Sequence, residues 1–124
     1  MKFLLDTHIL LWWYLEPSKL KKEASQIITN SGNEIYISDA IIWEMVIKAS
    51  VDKLKIPKGF FDEAEKDFEM LPISRKHIFM TSDLDPIHRD PFDRLLIAQA
   101  MVDKMTIITR DREILKYEIK TIEG

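Results

Sequence analysis

Apolar residues along this chain keep two alternating rhythms. Four short aliphatic or β-branched runs, at 2–5, 34–37, 106–109 and 118–122, read as buried strands, and longer stretches with apolar residues three and four apart read as helices between them. The first helix, 7–15, is apolar almost all round. A second starts from Ser18 as its cap, sets Leu20, Ala24, Ile27 and Ile28 on one face, and stops at Ser31-Gly32-Asn33. Ser38 caps a third that runs to about residue 50, and after Pro57-Lys58-Gly59 a fourth spans roughly 60–69. A weak strand at 71–73, demoted by Pro72, precedes a short helix capped by Ser74 and ending near Ser82. The segment 83–86 is a loop. Asp90 and Pro91 then supply the cap and first position of the clearest helix, which runs to about Lys104 and buries Leu95, Leu96, Ala98 and Met101. A single short helix at 111–116 comes before the last strand.

Strand–helix alternation with no repeat, low-complexity tract or linker predicts an α/β fold. One domain over residues 1–124 is expected, with a mostly parallel central sheet flanked by helices on both faces, because right-handed crossovers leave few other arrangements. A chain of 124 residues with 46% hydrophobic and 31% charged side chains can build such a core without covalent staples. The absence of cysteine excludes disulfide scaffolds and thiolate-ligated zinc or iron–sulfur sites, and His8, His77 and His88 lack the short spacing of a zinc site. Asp6 interrupts the apolar N-terminus and no small-residue cleavage site follows, so a soluble, cytoplasmic protein is expected. A net charge of −3 argues against a polyanion-coating protein but not against a nucleic-acid enzyme, since committing four acids to a metal site would leave the rest of the chain close to neutral.

Ligands of open parallel sheets bind beyond the carboxyl ends of the strands, and several acids fall there. Asp6 follows the first strand, Asp111 lies two residues past Thr109, and Asp93 sits in the first turn of its helix. Glu44 is the one charge in the run from Ala40 to Ile47, a setting that penalises an isolated carboxylate unless a partner or an ion holds it. Each acid has a plainer explanation alone: Asp6 and Asp111 as helix caps, Asp93 in a capping box with Asp90, Glu44 paired with Lys48 one turn on. Capping does not explain why four acids would project to one sheet edge. If they converge, two carboxylates ~4 Å apart repel by about 4 kcal/mol at an effective dielectric near 20, and a cation is required. All-oxygen ligands favour Mg²⁺ or Mn²⁺, which suits phosphodiester hydrolysis by activated water.

Arg89, Arg94, Arg110 and Arg112 flank Asp93 and Asp111 in sequence and are candidates for binding phosphate, with pairing to those aspartates as the alternative. Thr7 and Thr109 could orient a water by their hydroxyls. Trp12, Trp13 and Trp43 read as core or interface residues before base-stacking ones, and His8 and His88 as polar loop or helix-start residues.

Taken in order, Phe3-Leu4-Leu5-Asp6-Thr7, Ile42-Trp43-Glu44-Met45, the run from His88-Arg89-Asp90-Pro91-Phe92-Asp93 to Ala100, and Ile108-Thr109-Arg110-Asp111 resemble the PIN-domain ribonucleases, and among them the VapC-type toxins of type II toxin–antitoxin pairs. The resemblance covers essentially the whole chain. It implies that Asp6, Glu44, Asp93 and Asp111 bind Mg²⁺ or Mn²⁺ for endonucleolytic cleavage of RNA, that the protein is a homodimer, and that a cognate VapB-like antitoxin occludes the active-site groove. Asp90 maps onto no core ligand, and His8 stands where many members carry a small or amide side chain. A response-regulator receiver would need an adjacent acidic pair after the first strand, and a haloacid-dehalogenase phosphatase an aspartate where this chain has His8. The non-enzymatic alternative is a catalytically silent module of the same fold that binds a cation or a basic partner peptide.

Overall fold

The computed structural model describes residues 1–86 and 90–124; His88 and Arg89, singled out above, lie outside the described residues. From the N-terminus the chain forms β1 (Lys2–Leu5), α1 (Thr7–Leu15), a 3-10 turn (Pro17–Lys19), α2 (Lys22–Thr29), β2 (Glu34–Ser38) and α3 (Asp39–Ser50). It continues through α4 (Phe60–Asp67), β3 (Glu69–Leu71), α5 (Arg75–Met80), a second 3-10 turn (Thr81–Asp83), α6 (Pro91–Asp103), β4 (Thr106–Thr109), α7 (Arg112–Leu115) and β5 (Thr121–Glu123). The strands make one parallel sheet in the order β3-β2-β1-β4-β5. Leu4 and Leu5 of β1, and Ile107 and Ile108 of β4, are all fully buried. Successive strand residues point to opposite faces, so both faces of the central strands are covered by helices, as the alternation predicted.

The strand order sets the position of any site. From β1 the chain winds outward through β2 to β3, then crosses back to lay β4 on the other side of β1. The direction of winding therefore reverses between β1 and β4, and at the carboxyl ends of these strands the connecting loops diverge to leave a crevice.

Local chemistry explains most boundaries. Ser38, Ser74, Asp90 and Asp111 each cap the helix that follows by accepting a backbone N–H, and Pro91 occupies the first turn of α6. Ser18 does not cap a helix. Pro17 nucleates a 3-10 turn instead, Leu20 is extended, and α2 starts only at Lys22 without a side-chain cap. The third strand pairs as 69–71, ahead of Pro72 rather than across it, because proline has no N–H to give the ladder. The last strand pairs at 121–123, later than expected. Met101 is 41% exposed and not in the core, whereas Leu95, Leu96 and Ala98 are buried. Among the described residues no helix is long and apolar enough to cross a membrane.

Candidate active site

Asp6 is the first residue beyond β1, and its backbone N–H still donates to Ile108 O of β4 at 3.0 Å, which pins it over the reversal between the two strands. One carboxylate oxygen, Oδ1, accepts the Thr7 N–H at 2.7 Å as the cap of α1; the other, Oδ2, accepts the Thr109 hydroxyl at 2.7 Å. The Thr109 hydroxyl also accepts the Asp111 N–H at 3.0 Å, so one side chain at the end of β4 holds both aspartates in register. Asp111 turns Oδ1 to the Glu113 N–H at 2.8 Å and caps α7.

Glu44 enters from α3. It is 6% exposed, accepts the Thr7 hydroxyl at 2.6 Å on Oε1, and forms an ion pair with Lys48 at 3.3 Å through Oε2. The pairing with Lys48 and the position at the sheet edge were alternatives in the sequence; both hold. Asp93 comes from the first turn of α6, whose cap Asp90 accepts the Phe92 and Asp93 N–H groups at 2.9 and 3.1 Å.

These elements enclose a cleft of about 110 Å³ lined by Asp6, Glu44, Asp93 and Asp111, with Thr7, His8, Lys48 and Asp90 completing the wall. The four acids picked from separate stretches of sequence thus meet in one place. Their crowding is felt most at Asp93, whose carboxyl is pushed up to about 8 by burial first, and then by Asp6, Asp90, Asp111 and Glu44. Burial also raises Asp6, against the lowering effect of Thr109 and of the Thr7 N–H.

Oxygen donors, the absence of thiolates and mutual repulsion fit a hard divalent cation. They do not form a finished cage: among the described residues no three acidic or imidazole side chains stand ready to close on one ion. Both oxygens of Asp6 are engaged by hydrogen bonds, and Glu44 is shared between Thr7 and Lys48. A cation would compete with these partners for lone pairs already oriented toward the cleft.

The threonine hydroxyls donate to carboxylates and so orient Asp6 and Glu44. Two of the arginines expected at phosphate reach backbone carbonyls, and neither lines the cleft. Arg94 donates to Asp85 O at 3.1 Å and Thr81 O at 2.8 Å, and Arg110 to Gly124 O and Lys19 O, each at 2.6 Å, with its guanidinium over the Trp12 ring. Arg112 is exposed on the first turn of α7. Trp12 and Trp13 pack against the core as expected, but Trp43 is 56% exposed and meets Phe92 edge-on at 5.1 Å. Sequence reasoning assigned Asp90 only a capping role and Lys48 only a pairing role. Their signals were present, three residues before Asp93 and four after Glu44, spacings that share a helix face.

Residues 3–120 match the family model of the PIN domain. Ribonuclease VapC22 of Mycobacterium tuberculosis is 26% identical over 122 residues, spanning 92% of this chain and 90% of that protein. Among solved structures, VapBC2 from Rickettsia felis bound to a DNA fragment from its promoter matches with a TM-score of 0.75 at 19% identity, covering 98% of each chain. A toxin–antitoxin complex from Klebsiella pneumoniae matches with a TM-score of 0.68 at 20% identity, over 97% of this chain and 95% of that one.

Proposed function

The chain belongs to the PIN-domain family, and on that footing we propose that it is a divalent-metal-dependent endoribonuclease, the VapC-type toxin of a toxin–antitoxin pair. The observation that carries this reading is the meeting of Asp6, Glu44, Asp93 and Asp111 in the cleft where the sheet reverses its winding. Asp6, Glu44, Asp93 and Asp111 would hold Mg²⁺ or Mn²⁺. The bound ion supplies charge neutralisation at the phosphoryl oxygens and a water of lowered pKa. Thr109 keeps Asp6 and Asp111 aligned, Thr7 keeps Glu44 turned inward, and Asp93 releases its proton when positive charge enters the cleft. RNA is the substrate, and the relative named as a ribonuclease supports that choice. A VapB-like antitoxin that covers the cleft, a homodimeric toxin and a cytoplasmic setting complete the proposal, with the toxin–antitoxin complexes of the same fold as support for the partner.

The test is cleavage of cellular RNA by the purified chain free of antitoxin. Mg²⁺ or Mn²⁺ should support cutting and a chelator should stop it. Asp6→Asn, Glu44→Gln and Asp93→Asn should each reduce the rate by about 100-fold or more, since even outer partners of a metal are worth about 10–100-fold. Wild-type protein that leaves RNA intact with either ion would overturn the nuclease proposal and favour a silent module of the same fold.

A further inference from the structure

Acidic side chains dominate the described lining of the cleft. Five carboxylates face it, those of Asp6, Glu44, Asp90, Asp93 and Asp111, and among the described lining residues the one ammonium or guanidinium belongs to Lys48. A phosphodiester entering such a cleft brings a further negative charge. Such a group needs a cationic donor aimed at it. Arg94 and Arg110 direct donors to the backbone carbonyls of Asp85, Thr81, Gly124 and Lys19, and neither lines the cleft.

Lys48 is placed differently. It stands one helical turn beyond Glu44 on α3, its Nζ is 3.3 Å from Glu44 Oε2, and its side chain is 43% exposed at the mouth of the cleft. An ammonium has three hydrogens to donate, so contact with one carboxylate oxygen leaves others for a second acceptor, and the flexible stem permits the shift. Resting on the nuclease reading above, we infer that Lys48 is a substrate-binding residue, donating to a non-bridging oxygen of the RNA phosphodiester at the cleft. Its pairing with Glu44 stores the ammonium beside the site until RNA arrives.

Filter binding of a radiolabelled single-stranded RNA to the Asp93→Asn protein with Mg²⁺ reads affinity without turnover. Lys48→Met should weaken binding about tenfold, and the slope of log affinity against log salt should shrink by about 0.7, the value of one phosphate contact on a single strand. Lys48→Arg should retain most of the affinity. The loss should persist when Glu44 is changed to Gln, because the contact is with RNA and not only with that carboxylate. Cleavage by the otherwise wild-type enzyme gives an independent measure: Lys48→Met should raise KM about tenfold with kcat little changed. Unchanged affinity, salt slope and KM in Lys48→Met would overturn the assignment while leaving the nuclease intact, as would an effect that vanishes in the Glu44→Gln background. Wild-type protein that neither binds nor cuts RNA would overturn the nuclease reading, and this assignment with it.

Discussion

Asp93 is a residue whose surroundings change its chemistry. An unfolded chain loses this proton near 3.8, whereas the folded cleft keeps it to about 8. Between those values the native state binds more protons than the unfolded one, so stability falls as pH rises. The contribution of Asp93 to stability is complete below about pH 4 and is lost as pH rises through about 8, about 1–3 kcal/mol after allowance for solvent screening. Asp6 acts in the same direction. Scanning calorimetry of metal-free protein across this range should show a declining midpoint, flattened by Asp93→Asn, and Mg²⁺ should lift the midpoint most at the alkaline end. A midpoint that rises with pH through this window in the absence of metal would contradict the crowding at Asp93. At this scale the acids were legible in the sequence because a carboxylate among seven apolar neighbours, or directly after the apolar Phe3-Leu4-Leu5 run, has few places to go. Arginine direction was not: adjacency to Asp93 and Asp111 says nothing about which carbonyls a long side chain reaches once the loops close.

Helices α3 and α6 carry Glu44 and Asp93, and a buried polar knot holds them in register. Ser38, the cap of α3, donates its hydroxyl to the Gln99 side-chain oxygen in the middle of α6; the Gln99 amide donates to Pro72 O and to His77 Nδ1, each at 3.4 Å. His77 Nδ1 also accepts the Ser74 N–H at 3.0 Å, which leaves Nε2 to carry the proton and donate to Asp103 at 2.6 Å. Gln99 is fully buried between Ala98 and Ala100, a position that an apolar side chain would fill equally well by volume. Gln99→Leu should therefore cost about 1–3 kcal/mol by stranding Ser38 and Pro72 O. A lowered urea midpoint with an unchanged slope checks it, and a neutral outcome would mean that the knot holds nothing. Elements that begin with a capping side chain were legible. Those bounded by backbone pairing were not, as β3 and β5 show, because which residues enter a ladder depends on a neighbouring strand that local pattern does not name.

For the molecule as a whole, the order of strands does what no local signal does. It brings position 6 and position 111 to the same crevice and leaves the middle of α3 and the first turn of α6 to close it. Alternation made the parallel sheet legible, and the convergence of the four acids became visible only through the ordered set of motifs, since a net charge of −3 conceals a local concentration of acid. The edge-on contact of Trp43 with Phe92 extends this geometry to the surface, for Trp43 immediately precedes Glu44 and Phe92 immediately precedes Asp93. A helix movement that draws those two carboxylates together should also shift the two rings. Of the three tryptophans Trp43 is the exposed one, so the change in indole emission on adding Mg²⁺ should be reduced in Trp43→Phe. Occupancy of the site should then be readable in light from the native chain, with no label attached.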